Sequence, residues 1–345
     1  MIKYIQQKNI DFDLLKNYLE ESLSTNQFTN RGPAKHRLEN ELNKLFNINE
    51  NKRVVCVTNG TLALHALFFL YEKKHNKQLK WVTPSFTFPS SVVGKFKSDI
   101  LDIDPNTYTL PLTEEIIKSY DGFIITNLFG TYPKNINSWI EKCKRNNKIL
   151  IFDNASSPMS IVDGININNL GDSAFGSLHH TKYLGFGEGG FVVVNKEDYD
   201  ELNTILGFGF TGTTIKRKYD KYSSNYKMPD TIAAFILQHL KTYDMKRHKE
   251  IQAYLVDEVS KIKNIQLFNY QNDVVYGNLP ILYDKKINHL FFKDFGVEAN
   301  KYYYPLKEQK NSMHIYNRIV NLPLHAGLTD YELEIIISVL KKSIR

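Results

Sequence analysis

The stretch SLHHTKYLGFGEGG at residues 177–190 places a lysine, Lys182, five residues after Ser177 and just before a glycine-dense turn. A strand-like run, FVVV at 191–194, follows the turn. A lysine beside tight turns can be held at a bound group. If it is desolvated, its amine loses its proton and can form a Schiff base with an aldehyde. Alone, the stretch predicts only a β-hairpin that carries a lysine, so its interpretation depends on three segments upstream.

The first of these segments, VVCVTNGTLALHAL at 54–67, begins with an apolar β-branched run and turns at Asn59 and Gly60. Apolar residues continue after the turn in a mixed pattern that suits a buried helix. A strand, a glycine turn and a helix N-terminus together form an arrangement that binds phosphate, because free backbone N–H groups and the helix dipole favour an anion there. The alternative is an ordinary strand–helix loop in which Thr61 caps the helix.

The second segment, KILIFDNASS at 148–157, predicts a buried apolar strand that ends in Asp153. In doubly wound sheets, ligands bind at the carboxyl ends of the strands. A carboxylate at this position can hydrogen-bond the pyridine nitrogen of pyridoxal 5'-phosphate (PLP) and keep it protonated, and the charged ring then acts as an electron sink. The alternative is that Asp153 caps the helix that follows.

The third segment, TPSFTFPSS at 83–91, predicts a strand end that runs into a loop with a projecting aromatic ring. The ring of Phe88 can stack on a flat pyridine. The chain has 21 Phe and 21 Tyr residues, so one aromatic residue in a loop is a weak indication by itself. The alternative is a core residue under the loop.

Together these segments resemble the DegT family of PLP-dependent nucleotide-sugar aminotransferases, which have the fold type I aminotransferase architecture. The resemblance extends from about residue 29 to residue 325, and its motifs occur in the family's order and spacing. These motifs lie at residues 59–61, 83–88, 102–105, 127–130, 153, 177–182 with 187–190, 225–228 and 322–325. The resemblance implies an α/β fold, with a mostly parallel sheet in a large domain and a smaller α+β C-terminal domain.

The resemblance also implies the catalytic residues. Lys182 matches the lysine that forms the Schiff base with PLP and then shuttles the proton, and Asp153 matches the partner of the pyridine nitrogen. Phe88 matches the residue whose ring stacks on the cofactor. A branch of the family has histidine in place of the lysine and dehydrates sugars instead. Because Lys182 is intact, transamination is favoured.

A phosphate-binding set is implied as well. Ser177 and the turn at Gly60 and Thr61 match the positions that cradle the PLP phosphate. Asn225 matches an asparagine that reaches the phosphate from the neighbouring subunit. The resemblance therefore implies a homodimer with shared active sites.

Three positions depart from the family's pattern. Ser156 replaces the usual Gln or His that contacts the phenolic oxygen of PLP, and because Ser is shorter, that contact passes through water or another group supplies it. Lys227 replaces an arginine, so a compact ammonium group lies where a planar guanidinium group is usual. Phe152 replaces the acidic residue that usually precedes the aspartate.

The substrate implied by the resemblance is a nucleotide-linked keto sugar, with glutamate as the amino donor. We expect a dTDP-4-keto-6-deoxyhexose that is aminated at C-4 rather than C-3. Its diphosphate needs cations, and the candidates are Arg31 near the matched site entrance and Lys216 and Lys227 in or beside the Asn225 loop. His325, in the turn before the last helix, is a further candidate for substrate binding. The alternatives are a PLP-dependent sugar dehydratase and a catalytically silent sensor or binding protein with this fold.

Composition bounds the remaining possibilities. With 345 residues, 42% of them hydrophobic, the chain can bury a large core, and we expect a PLP-binding domain at 1–245 and a small domain at 246–345. Two cysteines make no disulfide framework. No secretory h-region or membrane-length apolar stretch is visible, so a cytoplasmic protein without a membrane partner is expected. The net charge of +7 comes from scattered residues, which predicts no nucleic-acid partner, and no metal site is expected.

Hydrophobic periodicity predicts alternating helices and strands up to about residue 200. The predicted helices are at 34–47, 61–75, 89–96, 112–118 and 134–145, and the predicted strands are at 53–58, 80–83, 98–103, 122–127 and 148–152. One long helix is predicted at 230–260. Strands at 265–269, 278–282 and 298–299 and a final helix at 329–343 complete the predicted small domain.

Overall fold

Helices and strands alternate along the first part of the chain, as the periodicity predicts. The computed structural model describes residues 1–156, 158–209 and 220–344. The helices of this part are α1 (Phe12–Thr25), α2 (Pro33–Leu45), α3 (Gly60–His75), α4 (Glu114–Ser119), α5 (Ile136–Arg145) and α6 (Tyr199–Leu206). The strands are β1 (Lys52–Val57), β2 (Trp81–Pro84), β3 (Asp99–Leu101), β4 (Gly122–Thr126), β5 (Ile149–Asp153), β6 (Ile161–Val162), β7 (Ile165–Asn166), β8 (Ser173–Ser177) and β9 (Gly190–Asn195).

The later part of the chain begins with two helices and adds a second sheet. Its helices are α7 (Asp230–Thr242), α8 (Met245–Ser260), α9 (Leu290–Asp294), α10 (Lys310–Arg318) and α11 (Asp330–Ser343). Its strands, β10 (Ile265–Leu267), β11 (Leu279–Tyr283) and β12 (Ile319–Leu322), form an antiparallel sheet in the order β10-β11-β12. None of the helices in the described residues is long and apolar enough to cross a membrane.

The large sheet has seven strands in the order β1-β9-β8-β5-β4-β2-β3. Strand β9 runs antiparallel to both of its neighbours, whereas the other strands share one direction. Both faces of such a sheet must be covered, so its strands are apolar on both sides. In β5, Leu150 and Phe152 join the core cluster that contains α2, α5 and α7, while Ile149 and Ile151 join the cluster that contains α3 and α6. The predicted mostly parallel sheet is confirmed.

The N-terminal segment (residues 2–9) packs with the second sheet rather than only with the first. Ile2 forms a parallel bridge with Val297 and is buried in the cluster that contains α8, α11 and strands β10–β12. The side chain of Lys3 forms an ion pair with Glu298 at 2.8 Å. The segment therefore contributes to the core of the C-terminal part, and the predicted domain boundary near residue 245 stays a prediction.

Two predicted elements are wrong because tertiary packing overrides local periodicity. Residues 89–96 form only a short 3-10 turn, Pro89–Ser91, because Gly94 takes a left-handed conformation (φ 72°) and Phe96 turns into a cluster of rings with Phe68 and Phe69. No regular strand forms at 298–299 in the described part of the chain. The third strand of the second sheet is β12 instead.

The predicted helix at 230–260 is two helices. Tyr243 and Asp244 leave the helical conformation, with ψ angles of 123° and 84°, and end α7. The side chain of Asp244 then accepts a hydrogen bond from the backbone N–H of Arg247 and caps α8. Helix α1 is a further element that the periodicity did not predict.

The free edge of β1 is covered by side chains of α2. Glu39 accepts a hydrogen bond from the backbone N–H of Cys56 at 2.8 Å, and Asn43, one turn later, accepts one from Val54 at 3.3 Å. The same Glu39 carboxylate forms a buried ion pair with Lys35 at 2.5 Å. Burial opposes its charge, but hydrogen bonds from His36 and Lys35 hold the pKa of Glu39 below its ordinary value. These contacts prevent the edge strand from pairing with another chain.

We predict that Glu39→Ala destabilises the protein by about 3 kcal/mol or more, because it leaves the Lys35 ammonium buried without a partner. The double variant Lys35→Met/Glu39→Leu should recover much of the loss, since it removes both charges. Thermal and denaturant unfolding measure both effects. Glu41→Ala, whose side chain is exposed on the same helix, is the control. A melting temperature unchanged in Glu39→Ala would contradict the assigned role of this pair.

Candidate active site

The chemically active residues of the predicted motifs meet at one edge of the large sheet. Strands β1, β4, β5 and β8 run in the same direction, so their carboxyl ends lie together. Asp153 ends β5, Ser177 ends β8, and Gly60 begins α3 directly after β1. This edge is where ligands bind in sheets of this type.

Asp153 is a buried carboxylate with an unused oxygen. Its side chain is 4% exposed, and Oδ1 accepts a hydrogen bond from the backbone N–H of Ala155 at 3.0 Å. Oδ2 has no hydrogen-bond partner among the described residues. Burial raises the pKa of Asp153 to about 6, and the Ala155 N–H and the charge of Lys182 partly oppose that shift. The alternative of a helix cap is not supported, because β6 is the next regular element after Asp153 in the described chain.

Lys182 lies in a tight turn between β8 and β9. Its N–H donates to the carbonyl of His179 at 2.8 Å, and its carbonyl accepts from Gly185 at 3.0 Å. A Cβ atom at Gly185 would lie 2.2 Å from the His179 carbonyl oxygen, so the turn requires glycine. Burial lowers the pKa of Lys182, although the charge of Asp153 opposes this. The amine therefore becomes neutral, and nucleophilic, at a lower pH than an exposed lysine.

Lys8, which no sequence motif indicated, contacts this turn from the N-terminal segment. Its ammonium donates to the carbonyl of Lys182 at 2.7 Å and also to that of Gly185. Burial lowers the pKa of Lys8 to about 8. No local pattern marks Lys8, because it belongs to the N-terminal segment and acts through a contact 174 residues away.

The turn between β1 and α3 forms a compact cradle. Asn59, not Thr61, caps α3: its side chain accepts from the N–H of Leu62 at 2.9 Å. The N–H groups of Gly60 and Thr61 have no hydrogen-bond partner in the described structure. A Cβ at Gly60 would lie 3.3 Å from Cβ of Ser177, so the helix N-terminus and the end of β8 approach closely. Free N–H groups beside a serine hydroxyl fit an anion such as a phosphate.

A tyrosine that no sequence motif indicated completes this edge. The hydroxyl of Tyr303 lies 3.3 Å from Oγ of Ser156. Burial raises the pKa of Tyr303 to about 12; the Ser156 hydrogen bond lowers it, and the charge of Asp153 raises it further. Phe88 is 54% exposed and approaches the Tyr303 ring edge-on at 6.2 Å, so the alternative of a core residue is not supported. The stacking role of Phe88 stays a prediction.

A separate cavity of about 450 Å³ brings two of the predicted cations together. Arg31 and Lys227 line it, and Lys227 lies 4.6 Å above the ring of Phe208. Asp230 holds the start of α2, just after Arg31, since its carboxylate accepts hydrogen bonds from the N–H groups of residues 34 and 35. Lys216 lies outside the described residues.

Asn225 and His325 have different surroundings. Asn225 is exposed and pairs through its backbone with Gly207, and its side chain makes no hydrogen bond within the described part of the chain. His325 is buried, and its Nε2 lies 3.1 Å from the carbonyl oxygen of Lys3 in the N-terminal segment. The cofactor role of Asn225 and the substrate role of His325 stay predictions.

Comparisons with known proteins agree with this geometry. The model of the DegT/DnrJ/EryC1/StrS aminotransferase family matches residues 11–341. The chain belongs to this family.

Two relatives have names that specify sugars. The chain is 25% identical to dTDP-4-amino-4,6-dideoxy-D-glucose transaminase of Shigella dysenteriae over 361 residues, 94% of each protein. It is 26% identical to GDP-perosamine synthase of Escherichia coli O157:H7 over 311 residues, 84% of this chain and 82% of that protein. A solved Bacillus cereus structure assigned as a PLP-dependent aminotransferase has a TM-score of 0.83 at 22% identity, over 98% of this chain and 99% of that one.

These comparisons confirm the predicted family, the aminotransferase fold, the enzyme class and PLP as the cofactor. The residues present fit that cofactor. Asp153 offers a free carboxylate oxygen in a buried position, and Lys182 offers an amine with a lowered pKa. The Gly60 turn leaves room that a side chain would fill. The protein is thus a PLP-dependent sugar aminotransferase.

We predict that Asp153→Asn lowers the pKa of Lys182 further, because the carboxylate is the negative charge that stabilises its ammonium form. The measurement is the rate at which PLP added to the apoprotein forms its visible-absorbing adduct, followed as a function of pH. The midpoint of this profile should move to lower pH in Asp153→Asn. The plateau rate should also fall, because the pyridine nitrogen of PLP loses its carboxylate partner.

Two variants serve as controls for this experiment. Lys182→Ala should form no adduct at any pH. Asp163→Asn, the same substitution at an exposed position, should leave the midpoint unchanged. A midpoint that stays in place in Asp153→Asn would show that the two groups are not coupled.

Proposed function

We propose that the protein transfers an amino group from glutamate to C-4 of a dTDP-4-keto-6-deoxyhexose. The observation that carries this proposal is the pairing of a desolvated lysine with a buried carboxylate at the carboxyl edge of the sheet, in a sugar aminotransferase chain. The Shigella relative, which aligns over nearly the whole chain, supports dTDP as the carrier and C-4 as the aminated carbon. The Escherichia coli relative supports a GDP-linked substrate as the second candidate.

Each residue of the edge has a distinct role in the proposed reaction. When bound, PLP supplies an electron sink for the carbon that loses or gains a proton. Lys182 would hold the cofactor, take the proton from the donor carbon in the first half-reaction and deliver a proton to the sugar carbon in the second, a task that its lowered pKa favours. Asp153 holds the positive charge at the pyridine nitrogen. Ser177 and the N–H groups of Gly60 and Thr61 hold the phosphate.

The nucleotide diphosphate is proposed to bind in the cavity lined by Arg31 and Lys227. These residues lie far apart in sequence, and Asp230 holds the α2 N-terminus beside the segment that carries Lys227. Both side chains reach the same space of about 450 Å³. Two cations there favour a ligand with two negative phosphates.

We predict that nucleotide-linked keto sugars react at least about tenfold more efficiently than the free sugar. The binding free energy of one charge-assisted hydrogen bond corresponds to about this factor. Glutamate should bleach the visible absorbance of the bound cofactor, and the keto sugar should restore it. The advantage should shrink as salt rises. Arg31→Ala should raise KM for the nucleotide sugar more than KM for glutamate.

The same assay separates the candidate substrates. Parallel reactions with dTDP- and GDP-linked 4-keto sugars, followed by NMR of the products, identify the carrier and the aminated carbon. Equal rates with free and nucleotide-linked sugars, or a preference for a simple keto acid, would refute the substrate proposal while leaving the transamination chemistry in place.

The active site is proposed to be shared between the subunits of a homodimer, with Asn225 reaching the partner's phosphate site. Its side chain is exposed and makes no hydrogen bond to any of the described residues, which supports this role. We predict that mixing Asn225→Ala chains with Lys182→Ala chains raises activity above the sum of the two parent proteins. One site of each mixed dimer would carry both lesions and the other would be intact.

Activity is measured after the two variants are co-refolded or exchanged, at limiting PLP. Mixing Lys182→Ala chains with Lys182→Ala/Asn225→Ala chains is the control and should give no recovery. If the activity of the mixed sample only equals the sum of the activities of the two parent proteins, Asn225 acts within its own subunit.

A further inference from the structure

Tyr303 reaches the edge of the large sheet from the C-terminal part of the chain and joins Ser156 there. We propose that Tyr303, supported by Ser156, binds the ring oxygen of PLP, the hydroxyl at C3 of its pyridine. Tyr303 would thereby supply the contact for which Ser156 alone is too short. This inference rests on the roles proposed above for Asp153 and Lys182.

The position of the ring oxygen follows from the substitution pattern of PLP and the order of the strands. The ring nitrogen and the aldehyde carbon lie on one axis, with the phosphate arm on one side of it and the oxygen on the other. If the nitrogen meets Asp153 on β5 and the phosphate meets Ser177 on β8, the phosphate side faces β8. Strand β4 lies on the opposite side of β5. The ring oxygen must therefore point toward the β4 side.

Tyr303 lies on this β4 side. Its ring is stacked on Phe129, with planes 1° apart and centroids 5.6 Å apart, and Phe129 follows β4 in sequence. Phe129 is buried and is held edge-on by Phe86 and Phe268. Packing against Phe129 thus fixes the orientation of the Tyr303 ring.

The hydroxyl of Tyr303 is fixed as well. It lies 3.3 Å from Oγ of Ser156, which is buried and only three residues from Asp153. Burial raises the pKa of this phenol, and the charge of Asp153 adds to that effect. The phenol therefore stays protonated at neutral pH and can donate a hydrogen bond. If Ser156 donates to Tyr303, the phenolic proton is directed away from Ser156 and toward the cofactor.

This contact would tune the chemistry of Lys182. A hydrogen bond from a neutral donor to an ionised oxygen is stronger than one to a neutral acceptor, so it stabilises the ionised form of the ring oxygen. In the Schiff base between Lys182 and PLP, that oxygen would lie beside the carbon bonded to Lys182. It would share a proton with the Schiff-base nitrogen. Stabilising the oxygen as an anion lowers its affinity for the shared proton. Tyr303 therefore lowers the pH at which the Schiff base loses that proton. Tyr303 is accordingly a cofactor-binding residue, and Ser156 a positioning residue that acts through it.

The test is a pH titration of the visible absorbance of the PLP-loaded protein, at saturating PLP and without glutamate or sugar. Tyr303→Phe keeps the ring and its stacking but removes the hydroxyl. Its midpoint should rise by about one pH unit, the order expected for losing a hydrogen bond to a charged group. Ser156→Ala should raise the midpoint by less, and the double variant should match Tyr303→Phe, because Ser156 acts through Tyr303.

Tyr304→Phe is the matched control. It is the same substitution at the next residue, whose exposed hydroxyl bonds Glu308, and it should leave the midpoint unchanged. An unshifted midpoint in Tyr303→Phe, or an equal shift in Tyr304→Phe, would overturn the proposal. Because no sugar is present, a wrong substrate assignment would not affect this result. A protein that forms no Lys182-dependent visible band at all would instead refute the underlying role of Lys182.

Discussion

The electrostatic pairing of Asp153 with Lys182 in a buried setting is the interaction on which the function of this structure depends. Burial disfavours charge on both groups, raising the pKa of the carboxylate and lowering that of the amine. Each charge partly offsets the effect on the other. The protein thus holds a carboxylate ready for a cationic nitrogen and an amine ready to act as a nucleophile. Perturbed groups of this kind cluster at functional sites.

Three structural devices keep this pair in position. Asp153 ends a strand whose side chains are buried on both faces, so its backbone cannot shift without disturbing the core. Lys182 lies in a turn that is closed by Gly185 and held from outside by Lys8. Lys8 belongs to the N-terminal segment, in which Ile2 forms a bridge with Val297 of the C-terminal part. The lysine turn is therefore connected to the C-terminal part through the start of the chain.

The C-terminal part also contributes directly through Tyr303. Tyr303, which precedes β12 in sequence, packs on Phe129 and contacts Ser156, and the charge of Asp153 acts on its phenol. Any movement of the C-terminal part relative to the large sheet would therefore change the surroundings of the cofactor ring. The cation-lined cavity depends on a different long-range contact, the cap that Asp230 places on α2. Both functional regions are thus assembled from segments that lie far apart in sequence.

The sequence by itself determined the features that short stretches encode. A β-branched run that ends in Asp153 predicts a strand with a carboxylate at its end, and the glycines around Lys182 and Gly60 predict tight turns, because few other residues fit such backbones. Tertiary structure alone decided which distant groups meet: Lys8 and Tyr303 at the edge of the large sheet, and the Asp230 cap beside the separate cavity. It also ended the predicted helix at 89–96, where Phe96 packs against α3, and divided the one at 230–260. Local periodicity cannot predict such contacts, because their energy comes from the packing of residues that are remote along the chain.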